Sequence, residues 1–303
     1  MNTIFVIIVT YKGDKWYDRC FSSLRRSSVP VQTIVVDNAS NDGTVEFIKD
    51  NYPEIILIES KENLGFGRAN NLAMRYALDH GCDFVFLLNQ DTWIKEDTVE
   101  RMMTIIDRNP GYGIYSPMHI TADEKALYIE IEDGDTDHAN ELLSDCYFNC
   151  LKDIYVFKYV NAAAWMVPRK TLETIGGFDP IFFLYGEDDN YLQRIEYHGY
   201  KLGLLPTVQI IHDHHDSDYP TDITYREFRH KQTRLVYYTN ILNDFSVHSY
   251  LVYLVRKMSG ALLRMNIKAF KSYKKEFLFL NSHKKQIDKS RSNNCKIGET
   301  WLY

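Results

Sequence analysis

Residues 4–110 alternate between short apolar runs rich in β-branched residues and segments with helical spacing, and this alternation restricts the fold more than any other feature. The predicted strands, each built around such a run, are 4–9, 32–36, 55–59 and 84–88, and the helical segments are 16–26, 44–51, 68–80 and 96–107. Unbroken apolar runs of this length indicate strands that are buried on both faces. Strands that alternate with helices build a mostly parallel sheet. We therefore predict an α/β fold in which a mostly parallel sheet is flanked by helices.

The pattern changes after residue 110. Residues 111–160 are acidic and rich in loop formers, which favours a solvated flap with short strands at 113–117 and 155–160. Helices are expected at 168–175 and 186–198, and strands at 201–205 and 208–211. From about residue 225 onward the spacing is helical. We divide the chain into residues 1–110, residues 111–224 and a helical C-terminal extension of residues 225–303.

Polar residues follow three of the predicted strands. In an open α/β sheet, ligands bind just beyond the carboxyl ends of the strands. Ordinary turn chemistry is the better explanation of each loop taken alone, and Asp91 could instead cap the helix at 96–107, but three such loops along one sheet edge favour a ligand site. No glycine-rich dinucleotide fingerprint or P-loop is present. The strand-end residues are Asp37 with Asn38, Asn63 with Gly65 and Gly67, and Asn89 with Asp91.

Two further clusters could carry chemistry. Glu187, Asp188 and Asp189 open a predicted helix, where they either complement the helix dipole or raise one another's pKa as a general base requires. A histidine cluster at 212, 214 and 215 directly after an apolar run supports a metal-ligand hypothesis.

Charge is distributed unevenly along the chain. The net charge is −6, but the part from His248 onward carries 12 Lys and Arg against three acids, leaving −15 for residues 1–247. A nucleic-acid partner is disfavoured, since the main domain lacks a basic face. Residues 248–285 read as a basic amphipathic helix that binds an anionic membrane surface, or that packs on the domain or on a second subunit in a homodimer. We find no signal peptide and no membrane span, and expect a cytoplasmic protein, which is peripheral on the membrane if residues 248–285 bind it.

Taken in order, the motifs resemble those of family-2 inverting glycosyltransferases with the GT-A (Rossmann-like) fold, which transfer sugar from nucleotide-diphosphate donors. The similarity runs from residue 4 to about residue 217. The matching segments are 8–11 (IVTY), 36–44 (VDNASNDGT), 62–71 (ENLGFGRANN), 87–91 (LLNQD), 176–179 (GGFD) and 186–190 (GEDDN), with Arg194, Gly199, His212 and Ser217.

The resemblance implies a role for each matching residue. Residues 1–110 become the nucleotide-sugar half, and residues 111–224 the half that binds the acceptor and supplies the base. In the donor half, Thr10, Tyr11 and Asp37 would line the nucleobase and ribose pocket, and Asn63, Gly67 and Asn70 would border the nucleotide and its diphosphate.

For the chemistry, the resemblance implies a divalent cation and a general base. Asn89, Gln90 and Asp91 occupy the place of the family's Asp-x-Asp, where the last acid binds Mg²⁺ or Mn²⁺. His212 would close the metal or diphosphate site. Asp188 would be the base, with Asp189 as the alternative, and Glu187 would orient the acceptor.

The expected activity is transfer of a hexose or deoxyhexose from a UDP- or dTDP-sugar to a glycan or lipid-linked acceptor, in cell-surface polysaccharide synthesis. Asn89 in place of an acid resembles the subset that uses donors such as dTDP-rhamnose. Asn89 and Asn190 also leave open a non-catalytic nucleotide-sugar or glycan-binding module. A sugar nucleotidyltransferase is a weaker alternative, because residues 10–13 lack the glycine-rich loop it would need.

Overall fold

The computed structural model describes residues 2–128, 135–213 and 222–302, and one mixed sheet organises them. The strand order is β3-β2-β1-β4-β8-β6-β9-β5, with β7 paired to β9. The strands are β1 (Ile4–Thr10), β2 (Gln32–Asp37), β3 (Ile56–Glu59), β4 (Phe84–Leu88), β5 (Thr92–Ile94), β6 (Ile114–Thr121), β7 (Tyr155–Phe157), β8 (Ala164–Pro168) and β9 (Leu202–His212).

Ten helices flank this sheet or follow it within the described residues. They are α1 (Tyr17–Arg25), α2 (Thr44–Asn51), α3 (Phe66–Asp79), α4 (Thr98–Arg108), α5 (Thr136–Tyr147), α6 (Arg169–Ile175), α7 (Glu187–Tyr197), α8 (Ile223–Thr239), α9 (Val247–Leu263) and α10 (Ile267–Asn294).

The predicted α/β fold is confirmed, and its physical basis is burial of the central strands on both faces. β1 pairs in parallel with β2 and β4, and β2 pairs in parallel with β3. Along β1, Phe5 and Ile7 belong to the core on one side of the sheet, while Val6 and Ile8 belong to the core on the other. Because successive side chains point to opposite faces, a strand covered on both sides must be apolar throughout.

Several expectations for residues 91–160 were wrong in detail. Asp91 does not cap a helix, because β5 follows it directly and α4 begins only at Thr98. The short strands expected at 113–117 and 155–160 are present as β6 and β7, but the acidic segment also contains a helix that was not expected, α5. The carboxylate of Asp135, which is fully buried, accepts hydrogen bonds from the backbone N–H groups of residues 158 (2.8 Å) and 159 (3.0 Å) and anchors the start of α5.

Two other boundaries differ from expectation. The strands expected at 201–205 and 208–211 are one strand, β9, whose pairing with β6 shifts register opposite Pro117 and Met118. The amphipathic helix expected to run through residues 251–277 is instead two helices, α9 and α10, packed together as a helical hairpin. The break is at residues 264–266, where Met265 adopts a left-handed φ of 53°. In the described part of the chain, no helix has the length and apolarity that a bilayer span requires.

Candidate functional site

The carboxyl ends of β1 and β2 lie side by side and are held together by a buried hydrogen bond. Thr10 pairs in register with Asp37, and the Thr10 hydroxyl donates to the Asp37 carboxylate at 2.9 Å. The other carboxylate oxygen of Asp37 accepts from the backbone N–H of Ser40 at 2.9 Å. Neither Thr10 nor Asp37 is more than 1% exposed. The two residues therefore shape the loop beneath the site. Tyr11, which is 42% exposed, lines the cavity at this edge of the sheet.

The loops after β2 and β3 are joined by one amide. Asn38 donates through Nδ2 to the carbonyl of Gly65 at 3.1 Å and accepts through Oδ1 from the N–H of Leu64 at 2.9 Å. Asn63 accepts from the N–H of Gly65 at 2.8 Å and lines the adjoining cavity. The amides thus fix the loop conformation at the sheet edge and satisfy backbone groups that would otherwise be buried without partners.

Gly67 and Asn70 lie on α3, behind the wall of the site, and neither lines its cavities. A Cβ atom on Gly67 would come within 2.9 Å of the Phe178 Cβ, so glycine at this position allows close packing of α3 on the 176–179 turn. Asn70 is 2% exposed and donates to the carbonyl of Phe66 at 3.0 Å.

Gln90, which follows β4, forms two hydrogen bonds with the backbone of Tyr11, which follows β1. Its amide oxygen accepts from the N–H of Tyr11 at 3.0 Å, and its amide nitrogen donates to the carbonyl of Tyr11 at 3.2 Å. A Cβ atom on Gly13 would lie 2.3 Å from the same amide oxygen. Through these two hydrogen bonds, Gln90 holds the backbone of Tyr11 in position.

Two cavities open at this sheet edge and share the segment 89–91. The smaller, about 230 Å³, adjoins Tyr11, Asn38 and Asn63. The larger, about 450 Å³, adjoins residues 185–189 and His212. Because Asn89, Gln90 and Asp91 line both, the two cavities form a continuous groove with the predicted donor residues at one end and the predicted base at the other.

Asp91 and His212 come together in the larger cavity. Pairing of β5 with β9 sets Thr92 opposite His212, which brings the His212 Nε2 to 3.5 Å from a carboxylate oxygen of Asp91. Both side chains are largely shielded from solvent, at 13% and 5% exposure for Asp91 and His212. The predicted partners His214 and His215, and Ser217, lie outside the described residues.

The described residues around Asp91 supply only part of a coordination sphere for the implied cation. Within residues 2–128, 135–213 and 222–302, no group of three or more His, Cys, Asp or Glu side chains is arranged to hold a metal. Mg²⁺ and Mn²⁺ favour oxygen-rich coordination and are commonly bound through one or two carboxylates, substrate phosphates and water. Asp91 and His212 therefore fit a cation that is held jointly with a diphosphate, and do not form a complete cage by themselves.

The acidic cluster begins α7, and its members sit in different environments. Glu187 is 5% exposed, and burial, reinforced by repulsion from Asp188, raises its pKa to about 8. Burial and the neighbouring carboxylate thus favour the neutral form of Glu187, which lowers the negative charge beside Asp188. Asp188 is only partly buried, and one of its carboxylate oxygens accepts from the Tyr159 hydroxyl at 3.1 Å. Asp188 and Asp189 both line the larger cavity.

Asn190 faces away from the cavity, and its surroundings explain why an amide stands there. It is 1% exposed, donates to the Thr239 hydroxyl at 3.2 Å and accepts from the Asn294 amide at 3.5 Å. Asn294 also donates to the Asp179 carboxylate at 3.0 Å. A carboxylate at position 190 would place a second buried negative charge in this network.

The same face of α7 is held by the C-terminal residues. Arg194, which is 1% exposed, donates to the carbonyl of Gly177 at 2.5 Å and to the Thr300 hydroxyl at 3.1 Å. Residues 290–302, which we call the C-terminal clamp, therefore hold the helix that carries Asp188.

The residues of the larger cavity that were not predicted include Tyr159, Tyr128 and Arg229. Tyr159 contacts Asp188, as described above. Tyr128 lies edge-on to His212, with ring centroids 5.0 Å apart. Arg229 on α8 stacks over Tyr185, with its guanidinium carbon 4.2 Å from the ring centroid, and supplies a positive charge at the cavity wall. None of the three belongs to a motif, and only the folded chain brings them to the groove.

Comparison with known proteins is consistent with this geometry. The sequence model of the family described as Glycosyl transferase family 2 matches residues 5–150. A Haloferax volcanii low-salt glycan biosynthesis hexosyltransferase is 24% identical over 218 residues, covering 70% of this chain and 68% of that protein. A Shigella flexneri dTDP-rhamnosyl transferase is 22% identical over 214 residues, with coverages of 70% and 69%. A Mycobacterium tuberculosis N-acetylglucosaminyl-diphospho-decaprenol L-rhamnosyltransferase is 23% identical over 258 residues, with coverages of 75% and 81%.

Solved structures share the fold. Residues 1–349 of S. aureus TarS in complex with UDP-GlcNAc align with a TM-score of 0.56 and 15% identity, covering 99% of this chain and 90% of that one. GalNAc-T7 with UDP, GalNAc and Mn²⁺ aligns with a TM-score of 0.57 and 13% identity, covering 79% of this chain and 50% of that one. The shared fold and the matched segment lead to one conclusion: this chain has the GT-A fold, and its residues 5–150 match glycosyl transferase family 2.

Proposed function

We propose that the protein transfers a sugar, with inversion, from a nucleotide-diphosphate donor to a hydroxyl group of a glycan or lipid-linked acceptor. The observation that carries the proposal is the continuous groove at the sheet edge. Asp91 and His212, which suit a cation-bound diphosphate, line the same cavity as Asp188, which suits a general base. Donor and acceptor would therefore meet in one space that is walled by both halves of the chain.

In the proposed reaction, Asp188 accepts the proton of the attacking acceptor hydroxyl. The acceptor oxygen forms a bond to the anomeric carbon while the bond from that carbon to the diphosphate oxygen breaks, and the electron pair leaves with the diphosphate. Tyr159 orients the Asp188 carboxylate through its hydrogen bond. A cation bound by Asp91 and His212 would supply charge that offsets the negative charge of the leaving group. Arg229 adds a second positive charge at the wall of the same cavity.

For the donor, we propose a dTDP- or UDP-linked hexose or deoxyhexose. Tyr11 at the open end of the smaller cavity offers an aromatic face on which a pyrimidine base can stack. Two of the relatives are named as rhamnosyltransferases, one of them for dTDP-rhamnose, and this favours a deoxyhexose. The relative named for a decaprenol-linked diphosphate supports a lipid-linked acceptor, and hence a role in cell-surface polysaccharide synthesis.

The test compares Asp188→Asn with the matched control Asp189→Asn. A thermal-shift screen of UDP-, dTDP- and GDP-sugars with Mn²⁺ first identifies the donor that stabilises the protein. With that donor, Asp188→Asn should lower the turnover number about 10²- to 10⁴-fold, because a general base contributes that much. Donor affinity, measured by titration calorimetry, should stay within about threefold, since the nucleotide binds at the other end of the groove.

The control separates the two carboxylates. Asp189→Asn should retain turnover within about tenfold of the unmodified enzyme. If Asp189→Asn abolishes transfer and Asp188→Asn does not, the base is Asp189. If both variants turn over normally, or if no nucleotide sugar stabilises the protein, the proposed function is refuted.

A further inference from the structure

The loop that joins α9 to α10 exposes a continuous apolar and basic surface. We call residues 262–268 the hairpin apex, and each of its seven residues is exposed. Leu263 and Met265 are 86% and 85% exposed, and Leu262 and Ile267 are 51% and 54% exposed. Four large apolar side chains in seven consecutive residues are a costly surface to leave in water. An isolated apolar residue on a protein surface needs no explanation, but such a cluster does.

The apex projects away from the rest of the protein. The cluster that fixes the hairpin contains Leu251 near the start of α9, Leu280 at the middle of α10 and Ile287 further along it, together with residues of α8. Residues 267–279 of α10 include no buried residue. At 1.5 Å per helical residue, Ile267 lies roughly 20 Å along the helix axis from Leu280. The apex is therefore one end of a two-helix hairpin whose other end packs against α8.

The charges around the apex have one sign. Between Asp244 and Glu276 the chain carries seven Lys and Arg and no acid. Arg264 and Lys268 lie within the apex itself. Among the described residues, none of these seven cations forms an ion pair with a carboxylate. The positive charge of this surface must therefore be neutralised by anions that are not among the described residues.

We propose that the hairpin apex docks on the surface of an anionic lipid bilayer. Its four apolar side chains enter the boundary between headgroups and acyl chains, and the lysines and arginines on both helices contact the lipid phosphates. A nucleic acid would satisfy the cations but not the apolar side chains. A second copy placed symmetrically over the same surface would bring like charges together. The proposal goes beyond the sugar-transfer site and does not depend on it.

The experiment measures sedimentation of the full chain with vesicles, which requires no sugar transfer. The protein should bind vesicles of phosphatidylglycerol mixed with phosphatidylcholine, and should bind vesicles of phosphatidylcholine alone at least tenfold more weakly. Leu263→Asp combined with Met265→Asp should lower the affinity for the anionic vesicles by more than about tenfold, because two inserted side chains are lost and two negative charges are added. Lys268→Glu should reduce both the affinity and its dependence on salt.

The matched control is Ile297→Asp, which removes an apolar side chain that is 76% exposed but lies outside the apex. This variant should bind vesicles as the unmodified protein does, and every variant should keep its melting temperature. Equal binding by the apex variants and the control would refute the proposal, as would binding that ignores lipid charge. A dimer, detected by light scattering, that dissociates in the apex double variant would also overturn it, because a second copy would then cover the apex.

Discussion

Gly65 is the position where one added methyl group should disturb both stability and the donor site. Its backbone angles, φ 78° and ψ −179°, lie in a region that is essentially restricted to glycine. A Cβ atom at this position would lie 2.0 Å from the carbonyl oxygen of Phe183. That same carbonyl accepts a hydrogen bond from the N–H of Phe66 at 3.1 Å. The substitution Gly65→Ala must therefore strain the backbone and push residue 183 away.

The expected cost follows from these two effects. Backbone strain contributes about 1–3 kcal/mol, and loss of the hydrogen bond contributes about 0.5–1.5 kcal/mol. For a chain of this size, a total of about 2–4 kcal/mol should lower the melting temperature by roughly 5–12 °C. Because Gly65 and Phe183 both line the smaller cavity, the affinity for the nucleotide donor should fall as well.

The matched control is Gly81→Ala. Gly81 also has a left-handed φ, of 74°, but a Cβ atom there would meet no atom within 4 Å. Only the strain of the left-handed backbone remains, about 1 kcal/mol, and donor affinity should not change. Thermal unfolding and calorimetric titration of the donor measure both effects. Equal losses in the two variants would show that the contact with residue 183 contributes nothing, and the reasoning would be refuted.

Three further predictions concern the groove. Tyr159→Phe should reduce the turnover number about tenfold to a hundredfold, as expected for losing a hydrogen bond to a charged group, and should have no added effect in the Asp188→Asn background. Asp91→Asn should weaken Mn²⁺ binding in the presence of the donor nucleotide at least tenfold, measured by calorimetry, with little change in its absence. Glu187 has a raised pKa in the folded state, so the folded protein binds more protons than the unfolded chain between pH 4.5 and about 8. The free energy of unfolding must therefore fall as the pH rises through that window. Glu187→Gln should abolish this loss, which is on the order of 5 kcal/mol over the whole window, and a pH series of thermal unfolding curves in which the two proteins stay parallel would contradict it.

The features that could be predicted from sequence are those that a short segment determines by itself. The strand that ends at Leu88 is apolar throughout because both of its faces are covered, so its position and the polar residues after it are readable from the chain alone. The position of Asp91 and His212 in one cavity agrees with the resemblance to the family. The roles of the individual site residues remain predictions until the variants are measured.

What could not be predicted depends on contacts between distant parts of the chain. Gly67 lies behind the cavity wall because Phe178, more than a hundred residues later, packs against it. Asn190 is turned away from the acids beside it by partners on α8 and α10. Tyr159 reaches Asp188 across 29 residues, with no motif to mark the pair. The spacing of residues within a short segment does not show which distant residues will contact it in the folded chain.

The C-terminal clamp has a consequence for the order of folding. The hydrogen bonds between Asp179 and Ser290 and between Arg194 and Thr300 span 111 and 106 residues, whereas Asn38 reaches Gly65 across only 27. Contacts that close long loops form later, since their entropy cost comes before their reward. The donor loops should thus assemble while the helix that carries Asp188 is still unanchored. The smaller cavity is also completed late, because Phe183, which lines it, accepts a hydrogen bond from Phe66 more than a hundred residues earlier, so a bound donor should stabilise the fully folded chain and not an early intermediate.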